Sequence, residues 1–267
     1  MTSLASRVLV AAVGLPVVLA ALWGGGGWLF CLVAPAAVVA LHEFFTLTRP
    51  LRPISLAGYA GLAGMLAAVQ VSGRLVWVAG ALLATLALAF LLKGLGGTQG
   101  SSTVAVGVTL LGTTWIGLGL GCVLLLRDVP EFGFVVALAV VLAIFADDTA
   151  AYFGGRALGR HKLAPAISPG KTWEGFVFGT AAAIFVAFVV LYDDRNAFLS
   201  IGESLLLGVV VALAAPMGDL FESMLKRDMG VKDSGRLLAG HGGVLDRIDA
   251  ILFAFPAAYF TVVAFLT

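Results

Sequence analysis

Cysteine is nearly absent: the chain of 267 residues carries two, Cys31 and Cys122, each alone inside an apolar run. Neither a disulfide framework nor a thiolate metal centre can be built from them, so both read as packing residues. Charge is equally scarce. Charged residues make up 12% of the chain, against roughly 25% in an average soluble domain. The formal net charge of +1 gives no reason to expect a nucleic-acid partner. No internal repeat is found, and so the usual sequence mark of an inverted-repeat transporter is missing.

What fills the chain instead is apolar. Hydrophobic residues reach 61% and the mean hydropathy is +1.07, which defines an all-α, polytopic integral membrane helical bundle. A spanning helix needs about 20 mainly apolar residues. Runs of that kind fall near residues 4–22, 27–46, 55–71, 74–92, 103–126, 132–153, 174–192, 198–225 and 248–266, which predicts about nine transmembrane helices. The first two are divided only by Gly24 to Gly27. Arg7 before the apolar run Val8 to Leu22 has the look of a signal peptide, but further spans follow at once, so a retained first helix is expected. Two regions are anticipated: 1–130 as a scaffold of transmembrane helices with oligomer contacts, and 131–267 as helices carrying the catalytic loops. Gly58, Gly61 and Gly64, and the pair Gly175 and Gly179, permit close helix packing, either within a subunit or in a homodimer.

The basic residues orient the bundle. With nine alternating spans and a cytoplasmic N-terminus, only Arg74, Arg127 and Arg195 of the sixteen basic residues fall outside. The positive-inside rule supports that topology. It places two polar loops, near 154–173 and 226–247, on the cytoplasmic face of the inner membrane, where anionic headgroups attract basic residues at about 1 kcal/mol each.

Several details exceed that simple attraction. From Ser223 to Asp249 the chain turns suddenly polar, with Lys226, Arg227, Lys232, Arg236 and Arg247 interleaved with Asp228, Asp233, Asp246 and Asp249. Asp219, Ser223, Lys226 and Arg227 share one helix face by their spacing. Asp219 then lies about 10 Å below Lys226. A carboxylate within a span is costly unless paired, protonated or bound to a cation, so its first reading is functional; the bland alternative is a salt bridge to Lys226 or to a basic group on a neighbouring helix. Asp246 and Asp249, three apart at the start of the last span, also face one way. Carboxylates converging from two helices make an oxygen-rich site that suits Mg²⁺ rather than zinc. Between them Gly240-His241-Gly242-Gly243 offers unobstructed backbone N–H groups that lead into a helix, an arrangement suited to phosphate.

A second loop repeats the theme. Ser168-Pro-Gly-Lys171-Thr-Trp-Glu-Gly175 ends in a Gly-Lys-Thr that opens a helix, with Thr172 as the expected N-cap. It is not a Walker A loop, since Pro165 stands where that motif needs glycine and no strand pattern precedes it. What remains is a lysine and a helix N-terminus facing the headgroup region; snorkelling of Lys171 explains it equally well if the loop stands alone. Upstream, Asp147 and Asp148 point about 100° apart on their helix, so they are expected to do different jobs. His42 and Glu43, at the inner end of the second span, read as structural.

These residues carry a resemblance. Ser223-Met-Leu-Lys-Arg, Lys232-Asp-Ser-Gly and Gly240-His-Gly-Gly-Val-Leu-Asp-Arg-Ile-Asp249 resemble the signature of phosphatidate cytidylyltransferases, the CDP-diacylglycerol synthases. Asp148-Thr-Ala-Ala-Tyr152 and Ser168 to Gly175 are similar to the family too, and the likeness covers roughly residues 145–256. Asp147 departs from the pattern, which has a single aspartate at the Asp148 position. The resemblance implies that CTP and phosphatidic acid, drawn from the membrane lipid, give CDP-diacylglycerol and pyrophosphate with Mg²⁺ and a second, monovalent cation such as K⁺. For such a reaction Asp219 and Asp246 are expected as metal ligands, supported by Asp249 and Asp148. Lys226, Arg227, Lys232, Arg247, Lys171, Ser168, Ser223, His241, Gly242 and Gly243 then serve the phosphates. Two rivals remain open: an ion-coupled transporter using Asp147, Asp148 and Asp219, and a CTP-dependent lipid kinase that moves the γ-phosphate.

Overall fold

The computed structural model describes residues 4–96, 100–193, 197–235 and 242–266, with side chains of the first helix from Gly14 onward. Among the described residues there are ten α-helices, most of them along the apolar runs. They are α1 (Leu4–Gly24), α2 (Gly26–Leu47), α3 (Ser55–Ser72), α4 (Leu75–Leu95), α5 (Ser102–Arg127), α6 (Gly133–Leu158), α7 (Trp173–Leu191), α8 (Ile201–Asp228), the single turn α9 (Leu245–Ile248) and α10 (Ile251–Leu266). Eight segments among the described residues are long and apolar enough to cross a membrane, the last running through α9 and α10, and α1 contributes the apolar piece Gly14–Gly24. The nine expected spans are therefore the helices α1 to α8 and the α9–α10 segment. Gly25, at φ 59, is the one non-helical residue between α1 and α2.

The chain forms two compact units. One comprises Met1–Leu125 with Val231–Arg247. Its core is aromatic and aliphatic: Phe44 is fully buried beside Trp115, edge to face at 6.2 Å, and Leu62, Met65 and Ile116 are buried with it. Polar links cross between its helices, Ile54 N–H to Thr109 Oγ1 at 2.8 Å and Thr113 Oγ1 to the Gly58 carbonyl at 3.4 Å. Gly58 and Gly61 face Phe45 and Thr85 of adjacent helices in the same subunit, so these glycines serve internal packing.

The other unit comprises Leu126–Gly230 and Ile248–Thr267. Here α6 packs on α7 and α8, and α10 packs on α8 and α6. Between α6 and α7 no strand is expected from the residue pattern, yet β1 (Lys162–Ala164) and β2 (Ser168–Thr172) pair antiparallel, Lys162 opposite Thr172 and Ala164 opposite Ser168. Pro165 in the turn and Pro169 in the second strand hide the pattern. A two-stranded ribbon tolerates proline because one side of each strand needs no ladder partner. The hairpin is fastened to α7: Trp173 N–H donates to the His161 carbonyl at 2.9 Å, and His161 Nδ1 lies 2.7 Å from Glu174 Oε1. Helix α8 opens with a capping box, Ser200 and Glu203 each bonding the other's backbone, a reciprocal closure of two otherwise unmatched donors.

Candidate active site

Thr172 caps α7, its Oγ1 accepting from Gly175 N–H at 3.1 Å. That cap fixes Lys171 at the end of β2, pointing toward α8. There Lys171 Nζ meets Asp219 Oδ2 at 2.7 Å and donates to the Pro216 carbonyl at 3.4 Å. Pro216 lies inside α8, where its missing N–H removes one intrahelical bond. Asp219 also accepts from Ser223 Oγ at 3.3 Å, so one face of the helix does join these two as the spacing predicts. The alternative expectation is a salt bridge to Lys226 or to a basic group on a neighbouring helix; the structure shows a salt bridge, but its partner is Lys171 on the strand β2.

The pair lines a cavity of about 450 Å³ together with Asp147, Asp148, Ser168 and Arg156. It opens between the C-terminal halves of α6 and α8, the hairpin and the first turn of α7. Asp148 and Asp219 lie ten and nine residues before the ends of their helices, about 14–15 Å at 1.5 Å per residue. Asp148, Asp219 and Asp249 are close enough for their charges to act on one another. Asp249 comes near because Gly218 lets the backbone at Asp249 and Ala250 press directly on α8; a Cβ there would collide with the Asp249 carbonyl. Asp147 is on the same cavity wall but more deeply buried than Asp148: it packs against Gly179 of α7, and its Oδ1 has no hydrogen-bond partner among the described residues.

Other sequence candidates are not among the residues lining this cavity. Lys226 bonds Glu222 at 2.7 Å, one turn back on α8, and Glu222 is fully buried. Arg227 Nε donates to the Ile167 carbonyl in the hairpin turn at 3.3 Å. Lys232 and Arg247 are exposed. His241 lies outside the described residues. The glycine segment next to it is occupied by the chain's own carboxylates: Asp246 Oδ2 accepts from Gly243 N–H at 2.8 Å and from both N–H and Oγ of Ser234, at 3.1 and 2.9 Å. Gly242, at φ 77, makes the turn that allows this. Glu43, read from the sequence as merely structural, reaches from α2 to accept Val244 N–H at 3.0 Å and Leu245 N–H at 2.8 Å. The signal for it was present, a carboxylate within an apolar span, and its place near a helix end masked it. The strand β1, which ends at Ala164, corrects the reading that none precedes the motif, although Pro165 still rules out a Walker A loop.

The donors fit a hard cation. They are all carboxylate or hydroxyl oxygens, and Asp147 leaves one buried oxygen unmatched. The described residues hold no ready group of three or more His, Cys, Asp or Glu ligands.

Fold and cavity together define a polytopic helical membrane protein with a polar, mixed-charge pocket at its helix ends. The chain belongs to the cytidylyltransferase family, whose model matches residues 5–265, and is therefore a nucleotidyltransferase. It is similar to the phosphatidate cytidylyltransferase of Staphylococcus haemolyticus, 34% identical over 254 residues that cover 94% of this chain and 95% of that one. The protein of that name from Staphylococcus aureus is 32% identical over 256 residues, covering 94% and 95%. The one from Haemophilus influenzae is 45% identical over 130 residues, 48% of this chain and 45% of that one.

Proposed function

We propose that this enzyme transfers CMP from CTP to phosphatidic acid, with Mg²⁺, giving CDP-diacylglycerol and pyrophosphate for phospholipid synthesis. The observation that carries the reading is the Lys171–Asp219 pair facing Asp148 in a cavity at the helix ends, joined to the names of relatives aligned along nearly the whole chain. A phosphate oxygen of the lipid attacks the α-phosphorus of CTP; that P–O bond forms as the bond to the bridging oxygen of the β-phosphate breaks, and pyrophosphate leaves. The attacking oxygen is already anionic near neutral pH, so no protein nucleophile is needed. The difficulty is bringing two polyanions together, which makes positioning and charge neutralisation the main contributions.

Asp219 and Asp148 would hold Mg²⁺, with Asp249 adding negative charge beside them; when bound, the ion would neutralise the phosphates and stabilise the departing pyrophosphate. Lys171 exchanges partners: without nucleotide it neutralises Asp219, and with nucleotide it turns to a phosphate oxygen. Ser168 and Arg156 on the cavity wall add a hydroxyl donor and a guanidinium. Asp246 orders the loop after residue 241, and its Oδ2 already accepts three hydrogen bonds. Lys226, Arg227, Lys232 and Arg247 raise the positive potential around the headgroup region. The excess of basic residues on one set of loops supports a cytoplasmic active site and N-terminus in the inner membrane.

Purified protein supplied with phosphatidic acid, Mg²⁺ and CTP labelled at the α- or γ-phosphate tests the reading. The α-label is expected in lipid, with one pyrophosphate released per lipid. Appearance of the γ-label in lipid would replace this reaction with a lipid kinase. Ion flux in proteoliposomes without any turnover of CTP would make the protein a transporter.

A further inference from the structure

The cavity of Lys171 and Asp219 changes character along α6. Asp148, Tyr152 and Arg156 all line it, and at spacings of four they form one stripe on that helix. Asp148 lies where the charges of Asp219 and Lys171 act on it. Eight residues on, about 12 Å along the helix at 1.5 Å per residue, stands Arg156, a separation comparable with a phosphate, a ribose and a base laid end to end. One end of the stripe is therefore built for phosphates. The other offers a phenol ring and a guanidinium, with Leu163 of β1 and Phe176 of α7 as apolar wall.

An exposed aromatic ring and an arginine near a helix end are commonly explained by an interfacial aromatic belt and by snorkelling. The geometry here differs. A snorkelling arginine extends away from the apolar span, whereas Arg156 Nη1 turns back one turn and donates to the Tyr152 hydroxyl oxygen at 3.2 Å. Phe153 meets the Tyr152 ring edge to face at 5.4 Å, so the ring is held from two sides while remaining 59% exposed. A ring held in this way is a stacking platform that any base can use. The guanidinium supplies selection. It carries five N–H donors and no acceptor; one donor serves Tyr152, and the planar fork can meet two adjacent acceptors at once. Cytosine presents such a pair, O2 and N3, on its pairing edge. Uracil carries a hydrogen on N3, which would set donor against donor and leave both unmatched.

We propose that Tyr152 and Arg156 form the subsite that selects the base of the nucleotide, Tyr152 stacking on the cytosine ring and Arg156 reading O2 and N3. The assignment rests on CTP being the nucleotide substrate. The triphosphate then lies toward Asp148, Asp219 and Lys171, and the base toward the end of α6.

The test uses the full-length protein in detergent micelles containing phosphatidic acid, with CTP as substrate and UTP as alternative substrate or competitor. The parent should prefer CTP, and Arg156→Lys, which keeps the charge and loses the fork, should reduce that preference by roughly tenfold. Tyr152→Ala should raise KM for CTP by roughly tenfold with kcat little changed, and Tyr152→Phe should restore most of the loss. Inorganic tripolyphosphate, which has no base, should inhibit the parent and all three variants equally. An unchanged preference in Arg156→Lys, or an unchanged KM in Tyr152→Ala, would overturn the assignment. So would weaker inhibition of Arg156→Lys by tripolyphosphate, which would put the guanidinium on the phosphates. Both side chains are exposed, and Arg156→Lys decides the matter alone if Tyr152→Ala does not fold. Turnover of CTP by the parent separates the two readings: without it the reaction itself is misassigned and the subsite falls with it, and with it an unchanged preference removes the base subsite only.

Discussion

Two sets of carboxylates in this chain have been given opposite environments. Glu43 and Asp246 accept backbone N–H groups, two at Glu43 and two at Asp246 with a serine hydroxyl besides. Asp148 and Asp219 face a cavity, and the closest partner of Asp219 is the end of a lysine side chain. A backbone N–H cannot turn away without unfolding a loop, so the first set is fixed. A lysine on four rotatable carbons can leave, so the second set is exchangeable. Burial alone does not separate them, since Asp246 and Asp219 are both half-buried. The identity of the donor does.

The largest effect expected from this contrast is at Asp219. Asp219→Asn keeps the shape, lets Ser223 bond as before, and removes the charge, so CDP-lipid formation should fall by about a thousandfold or more while circular dichroism and gel filtration are unchanged. Lys171→Gln comes next. It should lower kcat/KM for CTP by roughly a hundredfold, and Mn²⁺ binding measured by electron paramagnetic resonance without nucleotide should tighten, because Asp219 loses its competing cation. Weaker Mn²⁺ binding in that variant would deny the exchange. Glu43→Gln should act smallest on chemistry and mainly on stability. Two hydrogen bonds to a charged acceptor contribute about 1.5–3 kcal/mol each, so the unfolding midpoint should drop, with turnover at low temperature within a few-fold of the parent.

The helices were legible because the bilayer demands long apolar runs, and the predicted ends fall within a few residues of the observed ones except where α6 continues to Leu158. The extension matters, since it carries Gly155 and Arg156 onto the cavity wall. The hairpin was illegible because its two strands are three and five residues long and the second contains Pro169, too little for an alternating pattern. Helix spacing correctly joined Asp219 to Ser223. It could not assign Lys226, since Asp219 and Glu222 are both within reach on one helix, and the choice between them depends on Lys171 arriving from another element. Glu43's partners lie about two hundred residues away in sequence, and no local pattern encodes such a pairing.

The contrast is tested most directly by measuring CDP-lipid synthesis and the thermal unfolding midpoint on Asp219→Asn and Glu43→Gln prepared side by side. The account predicts a crossed result, turnover lost with the midpoint kept for Asp219→Asn, and the midpoint lowered with turnover kept for Glu43→Gln. Near-normal CDP-lipid synthesis by Asp219→Asn would contradict it.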